Sequence, residues 1–176
     1  EENPDVFFQV LDRREATKWD VCIRSTLPQY VFSNAVKLME EPLYLAFHKD
    51  SWLRNMEKVR LSDIRNEQFV MLRSGGSIRT ISDAIFEKEG IIPDIAFECD
   101  DVHVLRRMVQ EGVGITIWPR YSWRDHLRSE TDFANVCYRP IDNNEFKRSL
   151  YLILQKDLKM TEELEEFCKY TEKYFN

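Results

Sequence analysis

Five consecutive residues, Arg73-Ser74-Gly75-Gly76-Ser77, have the make-up of a cradle for a small anion. They follow an apolar run, Gln68 to Leu72, that reads as a strand. They precede Ile78, Ile81, Ile85 and Phe86, whose spacing predicts a helix. In open α/β sheets, ligands bind beyond the carboxyl ends of strands, where loops lead into helix amino termini. Two glycines let the backbone come close to a ligand, the amides of the helix start point outward, and Ser74 or Ser77 adds a hydroxyl. A carboxylate would fit, with Arg73 or Arg79 as counter-charge. The competing reading is structural: Gly75-Gly76 as a tight turn and Ser77 as a helix cap. Two more loops could face a ligand. Arg24-Ser25-Thr26 comes directly after a strand read at Trp19 to Ile23, where a lone arginine could equally be solvated or ion-paired. Asp100 to His103 opens another helix; Asp100 or Asp101 caps it and so consumes the amides an anion would want, leaving Val102 and His103 as contact candidates.

Catalytic signatures are missing. There is no nucleophile elbow, no G-x-x-x-x-G-K phosphate loop and no H-E-x-x-H helix. Cys22, Cys99, Cys137 and Cys168 lie far apart in apolar patterns and read as buried, reduced thiols. Cys22 and Cys99 stand nearest the candidate loops, yet the sequence offers no base to activate either. His48, His103 and His126 are scattered and no C-x-x-C pair occurs, so neither a metal site nor a cofactor is expected. Arg106-Arg107, in an acidic chain, reads as a solvated helix face.

The elements that must position these loops centre on Arg106 to Pro119, RRMVQEGVGITIWP. Val102, Leu105, Met108 and Val109 recur at helical spacing, Gly112 stands where a helix closes, and Ile115 to Trp118 is a β-branched and aromatic strand stopped by Pro119. Ile95 to Cys99 reads as a strand before that helix, so strand, helix and strand form a βαβ unit and imply a parallel sheet. Further strands are expected at Val6 to Leu11, at Val36 to Met39 and Leu43 to Phe47 around a Glu40-Glu41-Pro42 turn, at Val136 to Ile141 and at Ser149 to Gln155. Ser62 would cap a helical turn at Asp63 to Asn66, Gly90 would end the helix after the glycine loop, and Arg120 to Leu127 would be a short helix. Thr161 would cap a last helix with acidic residues at its start, Lys169 and Lys173 near its end, and Leu164, Phe167, Cys168, Thr171 and Phe175 along one stripe.

The 176 residues suffice for one domain or two small ones sharing strands. With 25 basic and 31 acidic side chains the net charge is -6, which argues against direct DNA contact by this segment. No apolar run of the ~18 residues needed for a membrane span occurs, and no signal-peptide pattern is seen. The opening Glu1-Glu2-Asn3-Pro4 reads as the tail of a helix, so the segment is expected to be a fragment.

The order of these pieces resembles the effector-binding domain of LysR-type transcriptional regulators. The likeness is carried by a strand ending in an acidic residue, a helix ending L-x-x-M-V-x-x-G, and then V-G-I-x-I-x-P. Asn3-Pro4-Asp5-Val6, the segment from Leu43 and the run Arg148 to Ile153 match further stretches. The resemblance implies an α/β fold like a type 2 periplasmic binding protein, two lobes with crossing strands at a hinge, the first strand and helix missing. Lobe I would be residues 1–47 and 150–176, and lobe II residues 48–149. Asp12 to Lys18 is shorter than the family's connection, so the chain is shortened there or residues are left out. A small anionic metabolite would bind in the inter-lobe cleft, with Arg73, Ser74, Gly75, Gly76, Ser77, Arg24, Ser25, Val102 and His103 as contacts. It would modulate DNA binding by an amino-terminal winged helix-turn-helix absent from this segment. A cytoplasmic homodimer or homotetramer, without enzymatic activity, is implied.

Two other classes share the fold. A solute-binding protein for transport would carry a signal peptide and export-compatible cysteines, and an enzyme would show an acid-base pair or a cofactor-linked cysteine in the cleft. The peroxide-sensing branch carries a reactive cysteine pair near Gly75 to Phe86, and none stands there, so redox sensing is a minor option.

Overall fold

The computed structural model describes residues 20–29, 34–121, 135–142, 146–155 and 158–175. The strand expected at Val6 to Leu11, the Asp12 to Lys18 connection and most of the helix expected at Arg120 to Leu127 lie outside them. The described residues divide into two compact units. Unit 1 holds 20–25, 29, 34–39, 149–155 and 158–175; unit 2 holds 26–28, 40–121, 135–142 and 146–148.

Unit 2 is built on the expected βαβ logic. β3 (Gln68–Leu72) and β4 (Asp94–Cys99) pair in parallel, from Gln68 opposite Asp94 to Leu72 opposite Cys99. A parallel bridge between Phe69 and Ile115 leads into β5 (Thr116–Pro119). β5 lies antiparallel to β2 (Ala35–His48), with Leu45 opposite Ile117, and β6 (Val136–Pro140) lines the other side of β2. Helices α1 (Ser77–Lys88) and α2 (Val102–Gln110) make the two crossovers. Phe69, Val70, Met71 and Leu72 are all buried, as a central parallel strand covered on both faces must be. Ile78, Ile81, Ile85 and Phe86 of α1 and Leu105 and Val109 of α2 pack onto it, and the Phe69 and Phe86 rings meet edge to face at 5.0 Å. Each such side chain contributes about 1.5–3 kcal/mol by leaving water. α2 closes as its glycine predicts: Gly112 N–H bonds the Val109 carbonyl at 3.1 Å and Val113 N–H bonds that of Met108 at 3.0 Å.

Unit 1 takes most of β1 (Val21–Thr26), the first part of β2 and most of β7 (Lys147–Leu154), in the sheet order β1-β7-β2. Its core is Leu38, Leu150, Leu152 and Cys168, the last from α3 (Glu162–Phe175). Thr161 caps α3 as expected, its hydroxyl accepting from Leu164 N–H at 3.4 Å.

Four expectations are corrected. Glu40-Glu41-Pro42 is no turn: β2 runs straight through it, because alternation of Glu41, Leu43, Leu45 and Phe47 keeps one side chain in two on the buried face. Pro42 lacks an N–H, but its carbonyl still accepts from Arg120 N–H at 3.0 Å. The first described strand extends to Thr26 rather than stopping at Ile23, so Arg24 and Ser25 are strand residues, not loop residues. The short helix begins at Leu61 with Arg60 as its cap, since Asp63 reaches back to Arg60 N–H at 3.2 Å and Leu61 and Ile64 are the apolar anchors; Ser62 is not the cap. Arg106 is buried rather than solvated, 5% exposed, with its guanidinium 4.9 Å above the Trp118 ring; only Arg107 keeps the expected exposed face, paired with Glu111 at 2.7 Å. An arginine can bury its long apolar stem and stack its guanidinium on an aromatic ring, which a count of charges overlooks.

Candidate functional site

The parallel register sets the geometry. Because Leu72 and Cys99 are partners, the loops after β3 and β4 leave the sheet side by side, and Arg73 N–H extends the ladder by donating to the Cys99 carbonyl at 2.8 Å. Residues 73–77 and 100–103 are thereby brought together within unit 2. Arg73 Nη1 stands 3.0 Å from Asp100 Oδ2, an ion pair with both side chains more than 60% exposed. Arg24, exposed, and Ser25, half-buried, sit on β1 in unit 1.

The two adjacent helix starts differ. At α2, Asp101 Oδ1 accepts from His103 N–H at 2.6 Å and Val104 N–H at 3.1 Å, so the cap fills the anion position itself. These two bonds hold the Asp101 carboxyl below its usual range, Val104 contributing most and His103 next. Val102 is half-buried against the core of unit 2, whereas His103 is exposed. At α1 the cap residue is Gly76, extended at φ -93° and ψ 150°, which has no side chain with which to cap the helix. Gly75 takes φ +96°, a left-handed conformation that side-chain-bearing residues rarely adopt, and this turns the chain so that Ser77 opens the helix on the exposed surface. Partial positive charge at a glycine-capped helix start, an exposed arginine and small residues together suit a carboxylate.

Arg79 is not the free counter-charge that the sequence suggested. Its guanidinium is 13% exposed and is bound by Asp83 at 2.8 Å, by the Leu72 carbonyl at 2.9 Å and by Glu98. Burial works against its charge, but Glu98 and Asp83 outweigh that and hold its pKa above the usual arginine value. The side chain therefore ties α1 to the ends of β3 and β4 and fixes how the glycine loop is presented. The i,i+4 spacing of Arg79 and Asp83 was readable; Glu98 and the Leu72 carbonyl were not, since only the sheet brings them there.

The thiols are less uniformly buried than their patterns suggested. Cys99 and Cys168 are buried, whereas Cys22 and Cys137 are half-buried, because β1 and β6 leave part of their surface to solvent. Burial pushes the Cys99 thiol up, and its Sγ lies 3.3 Å from the Asp101 carbonyl. Burial likewise raises Cys22, despite Arg24. Among the described residues no three His, Cys, Asp or Glu side chains are placed to hold a metal ion, and no helix is long and apolar enough to cross a membrane.

Asp101 gives a first prediction. Asp101→Ala is expected to lower stability by about 1 kcal/mol, and Asp101→Asn by less, read from urea midpoints. Because the carboxyl is depressed in the folded state, the charged cap's contribution is present above the ordinary carboxylate range and is lost as pH falls through the folded value. The alanine and wild-type unfolding curves should therefore converge at strongly acid pH; a constant gap down to acid pH would assign the loss to something other than the ionised cap.

Residues 5–176 match the family model described as the LysR substrate binding domain. The chain is similar to a protein named hydrogen peroxide-inducible genes activator from Pectobacterium carotovorum subsp. carotovorum, 30% identical over 145 residues that make up 82% of this chain and 47% of the relative. It thus spans about half the length of the curated relatives it matches. Among solved structures, the effector binding domain of QuiR in complex with shikimate aligns with a TM-score of 0.72 at 19% identity, covering 89% of this chain and 72% of that one. The CcmR regulatory domain of Synechocystis PCC6803 in complex with 2-PG aligns at 0.75 and 18% identity, covering 89% and 74%.

Proposed function

The chain belongs to the family of LysR substrate binding domains, and from that premise we propose that it is the ligand-sensing part of a LysR-type transcriptional regulator. Its fold is that of the effector-binding domains in this family, an α/β fold of the type 2 periplasmic-binding-protein kind. The ligand is a small anionic metabolite, held where Arg73, Ser74, Gly75, Gly76 and Ser77 lead into α1, with His103 and Val102 beside it. One observation carries this choice: of the two adjacent helix starts, α2 is closed by the Asp101 carboxylate, whereas the cap residue of α1 is a glycine, flanked by a left-handed turn and an exposed arginine. Arg24 and Ser25, inside a strand of unit 1, have no comparable helix start.

In the whole protein, DNA would be contacted by an amino-terminal winged helix-turn-helix, consistent with the net charge of -6 here. The ligand would act by binding two arrangements of the protein with different affinity, since equal affinity shifts nothing. The protein would work in the cytoplasm as a homodimer or homotetramer, and it would not be an enzyme. Family membership supports this reading over a transport receptor or an enzyme on the same fold. For a thiol-based peroxide response, suggested by the name of one relative, the thiolate is the reactive form, and burial works against it at Cys22, Cys99 and Cys168.

A thermal-shift screen of small organic acids tests the assignment. At a hundred times its dissociation constant, a ligand of the folded state adds about 2.7 kcal/mol, a rise of several degrees for a domain of this size. At least one carboxylate should stabilise the protein in this way, and Arg73→Ala should lose most of that rise. A rise that is unchanged in Arg73→Ala would place the ligand elsewhere.

A further inference from the structure

The most deeply buried charge in the described residues lies outside the candidate loops. Glu41 is fully buried on β2, and its Oε1 lies 2.6 Å from both Nε and Nη2 of Arg148 on β7, itself 6% exposed. Its Oε2 accepts from the backbone N–H of Tyr121 at 3.0 Å, just past the end of β5. The partners are 107 and 80 residues away in sequence. All three belong to unit 2, but β2 and β7 are also the strands whose chain runs on into unit 1, at Met39-Glu40 and at Arg148-Ser149. The neighbouring backbone joins the same segments: Arg120 N–H bonds the Pro42 carbonyl at 3.0 Å, and Leu43 N–H bonds that of Phe146 at 2.8 Å.

A buried ion pair is a poor source of stability, since removing both charges from water offsets most of their attraction, and apolar residues of similar volume often do as well or better. Burial lowers the Arg148 pKa by more than Glu41 raises it, the direction expected when desolvation offsets the attraction within the pair. What the pair adds over an apolar pair is direction: one carboxylate satisfies a guanidinium and a main-chain amide at once, in one register only. We infer that Glu41, Arg148 and the Tyr121 amide form a registry lock, which holds β2, β7 and the chain leaving β5 at one relative position where the two strands exit unit 2, and whose purpose is alignment rather than stability.

The test compares Glu41→Met, Arg148→Met and the double variant in the intact protein by thermal melting and by residue-resolved amide exchange. Each single variant leaves one charge buried without its partner and should lower the melting temperature by roughly 10 °C. The double variant should melt within roughly 3 °C of wild type. Its Tyr121 amide should nonetheless exchange at least about tenfold faster, with Val70 and Arg73, bonded to the Ile115 and Cys99 carbonyls, unchanged. A double variant that melts as low as the singles, or fails to fold, makes the pair a stability element and overturns the proposal. So does a near-native melting temperature with Tyr121 protection intact, because the alignment then needs no charge.

Discussion

Gly114→Ala is expected to disrupt the junction between β3 and the chain entering β5 at a cost of about 3 kcal/mol. A Cβ at this position would stand 2.6 Å from the Gln68 carbonyl oxygen, 3.1 Å from its carbon and 3.2 Å from the Phe69 carbonyl carbon. All three are backbone atoms, so no side chain can swing aside. Nor can the backbone shift freely: the same Gln68 oxygen accepts from Ile115 N–H at 2.8 Å, and the Ile115 carbonyl accepts from Val70 N–H at 2.9 Å. Relief requires the chain entering β5 to draw back from β3, breaking both hydrogen bonds of the buried Ile115, each costing about 1–3 kcal/mol when a buried group is left unpaired. Urea unfolding should show the loss as a lower midpoint at unchanged slope. A variant within about 0.5 kcal/mol of wild type would show that the close approach relaxes without breaking the bridge.

Ser77→Trp is expected to reduce affinity for the stabilising carboxylate by more than about a hundredfold, or roughly 2.7 kcal/mol, while the fold survives. Ser77 is the first residue of α1 and is exposed, so an indole there meets no core side chain and should change stability by only about 0.5 kcal/mol. Its bulk would cover the first-turn amides and the approach past Gly75-Gly76, where a ligand anion must come within hydrogen-bond distance of the backbone. Titration calorimetry with the acid found in the thermal screen gives the affinity, and circular dichroism checks the fold. Unchanged affinity in a folded Ser77→Trp protein would remove this loop from the ligand site, whatever the remaining evidence for a regulator.

Much of the scaffold around that loop was legible because its signals are local. The spacing of Ile78, Ile81, Ile85 and Phe86 marked α1, the apolar run from Gln68 to Leu72 marked a strand, and the Asp100-Asp101 pair marked a cap, which the structure assigns to Asp101. Each depends on residues within a turn or two of one another, whose interactions the chain carries wherever it folds. The same local logic misread Glu40-Glu41-Pro42, since two acids and a proline normally mark an exposed turn, and it left Arg106 in solvent.

By itself, then, the sequence determined the βαβ order, the caps of α2 and α3, the glycine closures, and the likeness to a known family, all written in short-range periodicity and residue type. Only the tertiary structure decided which charges meet. Glu98 and the Leu72 carbonyl claim Arg79, Asp100 meets Arg73, and Glu41 takes Arg148 and the Tyr121 amide across 107 and 80 residues. Those choices follow from strand order and register: sliding a strand by one residue turns every side chain to the opposite face, and the partner of a buried charge changes with it.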